Sequence, residues 1–139
     1  MLLADRHHGL SEGIRGLLES KFPAVVMVAD ETSLLESAKR LDPSIVVAHV
    51  GLALGESFGW LRRLLVRCPD ARVIVLSVHD EMTVMNEALA AGAVGFVLKR
   101  EIASHLLDAV DAVLAGKRYP AGGAAGAVFD PEAKKSQSD

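Results

Sequence analysis

Short apolar runs and longer helical stripes alternate along this chain as far as Tyr119. The apolar runs cover residues 2–4, 24–29, 44–50, 72–78 and 94–98, and His49 is the polar residue near the end of the third. Runs this short, bounded by Pro, Gly or Asp, suit strands covered on both faces. The segments between them carry apolar residues at helical spacing. Leu10, Ile14, Leu17 and Leu18 form one stripe, and Leu34, Leu35, Ala38 and Leu41 a second. Leu61, Leu64, Leu65 and Cys68 form a third, Met82, Met85 and Leu89 a fourth, and Ile102, Leu106, Val110, Val113 and Leu114 a fifth. Each predicts an amphipathic helix with one face on a core. Phe22-Pro23, Asp42-Pro43 and Pro69-Asp70 stop the first three helices, Ala90-Ala91-Gly92-Ala93 turns out of the fourth, and Gly116 ends the fifth. Residues 30–33 and Asp80 supply capping side chains for the helices they precede.

Five strand–helix units in strict alternation predict an α/β fold with a doubly wound, five-stranded parallel sheet. Right-handed crossovers place the carboxyl ends of all strands along one edge, where open α/β sheets hold their chemistry. Asp5, Arg6, His7, His49, Ser77 and Lys99 converge there. Beyond Tyr119 the pattern lapses: residues 121–127 are only Gly and Ala, and the last nine are polar apart from Pro131 and Ala133. One domain over residues 1–120 is expected, with a Gly/Ala-rich linker or tail over 121–139.

Composition narrows the setting. A single cysteine, Cys68, makes no internal disulfide, which favours a reducing, cytoplasmic environment. Net charge is −3 with Lys and Arg scattered along the chain, which argues against nucleic-acid binding by this segment alone. No apolar run is long enough to span a membrane, and Asp5 interrupts any signal-peptide core.

The residues themselves resemble a known family. Leu2-Leu3-Ala4-Asp5-Arg6-His7, then Glu12-Gly13-Ile14-Arg15 and Leu17-Leu18, are similar to the opening of a response-regulator receiver domain of the NarL/LuxR type. The similarity continues through Pro43-Ser44-Ile45-Val46-Val47, Val73-Ile74-Val75-Leu76-Ser77, Ala90-Ala91-Gly92-Ala93 and Gly95-Phe96-Val97-Leu98-Lys99. The resemblance implies a flavodoxin-like (CheY-like) (βα)5 domain with strand order 2-1-3-4-5. It also implies two acids after the first strand that hold Mg²⁺ and a phosphoacceptor Asp ending the third. A hydroxyl ends the fourth strand, and the fifth carries an aromatic and ends in a Lys. Position by position, Asp5 keeps one acid, Ser77 the hydroxyl, Phe96 the aromatic and Lys99 the lysine. Arg6 stands in place of the second acid, His49 in place of the acceptor, and Leu52-Ala53 in place of the usual Met-Pro.

These departures reverse the pocket's sign. Three carboxylates and one lysine are net negative, whereas Asp5, Arg6 and Lys99 leave one net positive charge with His49 neutral. Mg²⁺ prefers oxygen ligands, and two like charges near ~4 Å repel by about 4 kcal/mol at an effective dielectric of 20. A pseudo-receiver is expected, with no aspartyl phosphorylation, no cofactor, Mg²⁺ binding lost or weak, and no enzymatic activity. It would act through protein partners or a homodimer formed by helix faces. In the family a helix-turn-helix DNA-binding domain follows the linker, and any role in transcription is implied by the resemblance alone. Arg6 can pair with Asp5 and lock one conformation, or the cationic pocket can take a small anion.

Other patterns carry less. His7, His8, His49 and His79 lie near the same edge and could ligate a transition metal, but no close His spacing marks a dedicated site. The Gly55-Glu56-Ser57-Phe58-Gly59 match to a nucleophile elbow lacks the strand that must immediately precede its serine, so Ser57 reads as a helix cap. His49 as a phosphohistidine carrier lacks an acidic orienting partner in the sequence.

Overall fold

The computed structural model describes residues 1–5, 8–49, 58–77 and 82–119. Five strands alternate with five helices: β1 Leu2–Ala4, α1 His8–Glu19, β2 Val26–Val28, α2 Glu31–Leu41, β3 Ile45–His49, α3 Gly59–Arg67, β4 Arg72–Ser77, α4 Met82–Ala90, β5 Gly95–Leu98 and α5 Ile102–Leu114. The strands form one parallel sheet in the order β2-β1-β3-β4-β5. This is the expected doubly wound arrangement, with β3 in its centre.

Alternation along each strand divides the core in two. Leu2, Ala4, Val46, Ala48, Val73, Val75, Phe96 and Leu98 pack with residues of α2, α3 and α4. Leu3, Ile45, Val47, Ile74, Leu76 and Val97 pack with residues of α1 and α5. Every residue of β3 is buried, so its apolar run follows from helices on both faces. Phe58 and Trp60 are core residues at the start of α3, with ring centroids 6.5 Å apart.

Local chemistry sets the helix ends. Asp30 caps α2 by accepting a hydrogen bond from the Ser33 N–H at 2.8 Å, and Asp42 closes it in the left-handed region with φ 47°. Helix α1 ends at Glu19, before Phe22-Pro23, where the Ser20 hydroxyl donates to the Leu17 carbonyl at 2.7 Å. Gly116 terminates α5 with φ 83°, as its position predicts. Gly92 turns the chain from α4 into β5 with φ 116°, and an added Cβ there would lie 2.4 Å from Leu65 Cδ1. Arg63 of α3 grips Glu31 of α2 through both carboxylate oxygens, and the guanidinium holds that carboxyl below its ordinary range.

Gly16 shows the opposite case. It lies within α1, exposed, and a Cβ built on it meets nothing within 4 Å. Alanine costs less backbone entropy on folding, so Gly16→Ala should stabilise the domain by about 0.5–1 kcal/mol. A rise of about 3 °C in the thermal midpoint is expected, and a fall would show that α1 requires glycine at this position.

Candidate functional site

Strand register builds the carboxyl edge. Ala4 pairs with Ala48, so the residues that follow, Asp5 and His49, come level with each other on neighbouring strands. His49 pairs with Leu76 and Ser77 with Leu98, so Ser77 and then Lys99 step onto the same edge. Asp5, His49 and Ser77 are the buried polar residues here, and Ser37 on α2 is the other one among the described residues. The sheet therefore gathers four of the residues singled out from sequence onto one edge.

Asp5 and Lys99 meet directly. The Lys99 ammonium donates to Asp5 Oδ2 at 2.8 Å, with 9% of the lysine side chain and none of the aspartate side chain exposed. Lys99 begins a single 3-10 turn, Lys99–Glu101, which joins β5 to α5 and starts at the strand's end. A bond this short between buried, opposite charges is charge-assisted, and each group neutralises the cost of burying the other. The expected pairing of Asp5 with Arg6 involves a residue outside the described ones; the pairing with Lys99 joins the ends of β1 and β5 and cannot be seen from spacing.

Phe96 is 3% exposed and packs in the layer shared with α2, α3 and α4. Its backbone N–H donates to the Tyr119 carbonyl at 2.8 Å, and the Tyr119 N–H donates to the Val94 carbonyl at 3.0 Å. Tyr119 thus bridges to Gly95 and covers the edge of β5. Its hydroxyl lies 3.1 Å from His105 Nδ1 on α5, and burial pushes the phenol upward from its ordinary value. This contact was not expected from the sequence, where the periodic pattern lapses at Tyr119. An aromatic residue directly after Lys117-Arg118 was the available signal.

Arg6, His7, His79, Asp80 and the loop 51–57 with Ser57 lie outside the described residues, as do 120–139 and the side chain of His8. Among the described residues no three His, Cys, Asp or Glu side chains come together as a metal-binding group. No helix among them is long and apolar enough to cross a membrane.

Comparison with known proteins agrees with this architecture. Residues 1–111 match the model of the response regulator receiver domain. The transcriptional regulatory protein DegU of Brevibacillus brevis is 29% identical over 121 residues, covering 86% of this chain and 51% of that protein. The transcriptional activator protein ExaE of Pseudomonas putida is 34% identical over 127 residues, covering 86% and 56%. The chain thus spans about half the length of the curated relatives it matches. A crystal structure of a LuxR-family two-component response regulator from Aurantimonas sp. SI85-9A1 superposes with TM-score 0.78 at 28% identity, covering 84% of this chain and 85% of that one. The isolated receiver domain of RcsB from Salmonella enterica serovar Typhimurium shares the fold with TM-score 0.76 at 23% identity, covering 85% and 89%. From its matching residues, its strand order and these relatives, the chain belongs to the response regulator receiver domain family, within two-component signalling of the NarL/LuxR type.

Proposed function

We propose that this receiver works without aspartyl phosphorylation, as a pseudo-receiver that acts by protein–protein contact or self-association. The observation that supports it most is the buried imidazole of His49 at the end of β3, beside an Asp5 carboxylate already bonded to Lys99. An imidazole cannot form an acyl phosphate. The donor set does not fit Mg²⁺ either: one carboxylate, held by an ammonium, and one ring nitrogen replace the several oxygens that ion prefers. Arg6 adds a permanent cation to the same stretch of sequence. In this reading Ser77 and Phe96 retain the places of switch residues, while Lys99 is committed to an internal pair. That commitment favours a locked conformation over small-anion binding at the same edge.

Relatives are transcription regulators, and one solved relative is an RcsB–DNA complex. Output of the same kind, through a DNA-binding domain beyond the residues of this chain, is part of the proposal, as is a cytoplasmic, non-enzymatic role. Incubation with acetyl phosphate and Mg²⁺, followed by intact-mass measurement, should leave the chain unmodified. A stoichiometric phosphoryl adduct would overturn the reading.

A further inference from the structure

We propose that a cleft at the opposite edge of the sheet binds a phosphate-class anion. It is lined by Arg72, Val94, Val113, Gly116, Lys117 and Arg118 and has a volume of about 240 Å³. Arg72 opens β4, and Val94 immediately precedes β5, so the cleft lies at the amino ends of these strands, away from Asp5 and His49. Three of its six lining residues are cationic and none is acidic.

The backbone that carries these cations is pinned. After α5 the chain turns at Gly116 and is strapped to β5 by the two Tyr119 hydrogen bonds described above. The Lys117 N–H also donates to the Ala112 carbonyl at 2.9 Å. The strap brings Lys117 and Arg118 beside Arg72, which is remote in sequence. Several other cations of the domain are paired: Lys21 with Asp111, Arg63 with Glu31 and Lys99 with Asp5. Among the described residues no ion pair takes Arg72, Lys117 or Arg118.

The competing account is that these cations complement the carbonyl end of α5. Yet the carbonyls of Asp111, Ala112 and Val113 already accept bonds from the backbone N–H groups of Ala115, Gly116 and Lys117. Three of the last four carbonyls of α5 are thus met by its own backbone, which leaves the side-chain donors for a ligand. Val94 and Val113 give the cleft an apolar lining, which strengthens charge interactions relative to open water. Guanidinium forks match phosphate oxygens in geometry. The ligand chemistry is therefore a phosphate group, whether free or in a nucleic-acid backbone.

The test titrates the 139-residue chain at low salt with inorganic pyrophosphate, by calorimetry and by amide chemical shifts. Saturable binding is expected, with shifts confined to residues 72, 94 and 116–119. Arg72→Ser and Arg118→Ser should each weaken it about five- to tenfold while leaving the thermal midpoint in place, since both side chains are exposed. A labelled duplex oligonucleotide identifies the source. Binding that the same variants weaken, and that falls linearly with log salt, assigns a nucleic-acid backbone; pyrophosphate binding alone assigns a free anion. No heat up to about 10 mM, binding indifferent to both variants, or shifts centred on Asp5, His49 and Lys99 would overturn the proposal.

Discussion

The double variant Arg6→Asp, His49→Asp is expected to gain one phosphoryl group from acetyl phosphate and Mg²⁺, whereas neither single variant does. The reason is electrostatic as much as chemical. His49→Asp alone supplies a carboxylate at the end of β3, level with Asp5, but leaves a permanent cation, Arg6, directly after Asp5 in the sequence. Arg6→Asp alone restores an acid and still offers no acceptor. Together the two changes turn one net positive charge among these residues and Lys99 into two net negative, and restore several carboxylate oxygens to the edge. Ser77 and Lys99 already stand on that edge. Intact mass before and after hydroxylamine treatment measures the result, because acyl phosphates are cleaved by it. If the double variant stays unmodified, the obstacle is not the charge reversal, and the proposed cause of inactivity fails. An adduct on His49→Asp alone would show that Arg6 does not obstruct the site.

Much of this architecture is legible in the sequence because strand and helix periods differ so clearly. The run 44–50 reads as a doubly covered strand, and all five residues of β3 within it, Ile45–His49, are buried. Edges are less legible. Residues 24–29 read as one strand, but only Val26–Val28 pair, and Val26 is 36% exposed because β2 is an outer strand with a single neighbour. Ala88 is fully buried on α4, yet a stripe counted from Met82, Met85 and Leu89 passes over so small a side chain. The candidate site divides the same way. That Asp5, His49, Ser77 and Lys99 share an edge follows from parallel strands alone. Which of them touch depends on strand order and on the 3-10 turn after β5, and neither leaves a local signature. The Tyr119 bridge is one residue pair long, too short to show any alternation. Arg72, Lys117 and Arg118 look scattered until that bridge folds the chain back.

Asp5→Ala should destabilise the domain by about 3–5 kcal/mol, a large fraction of the roughly 5–15 kcal/mol that holds a domain folded. At 2.8 Å the Asp5–Lys99 attraction is about 6 kcal/mol for an effective dielectric of 20. Dehydrating two ions costs several kcal/mol each, so the intact pair contributes little net stability. Removing one member is different: the attraction disappears while the dehydration cost of the other ion remains. Lys99 is the sensitive partner, because its side chain is 9% exposed and Asp5 is its ion-pair partner among the described residues. Adding Lys99→Met to Asp5→Ala removes the stranded ammonium and should recover a substantial part of the loss. A cycle of the two single variants and the double variant, read by denaturant unfolding, should therefore give a coupling energy above about 2 kcal/mol. A loss below about 1 kcal/mol for Asp5→Ala would mean that water reaches Lys99 readily. The pair would then behave as a surface contact, too weak to hold the carboxyl edge in one conformation, and the locked reading of this receiver would lose its physical basis.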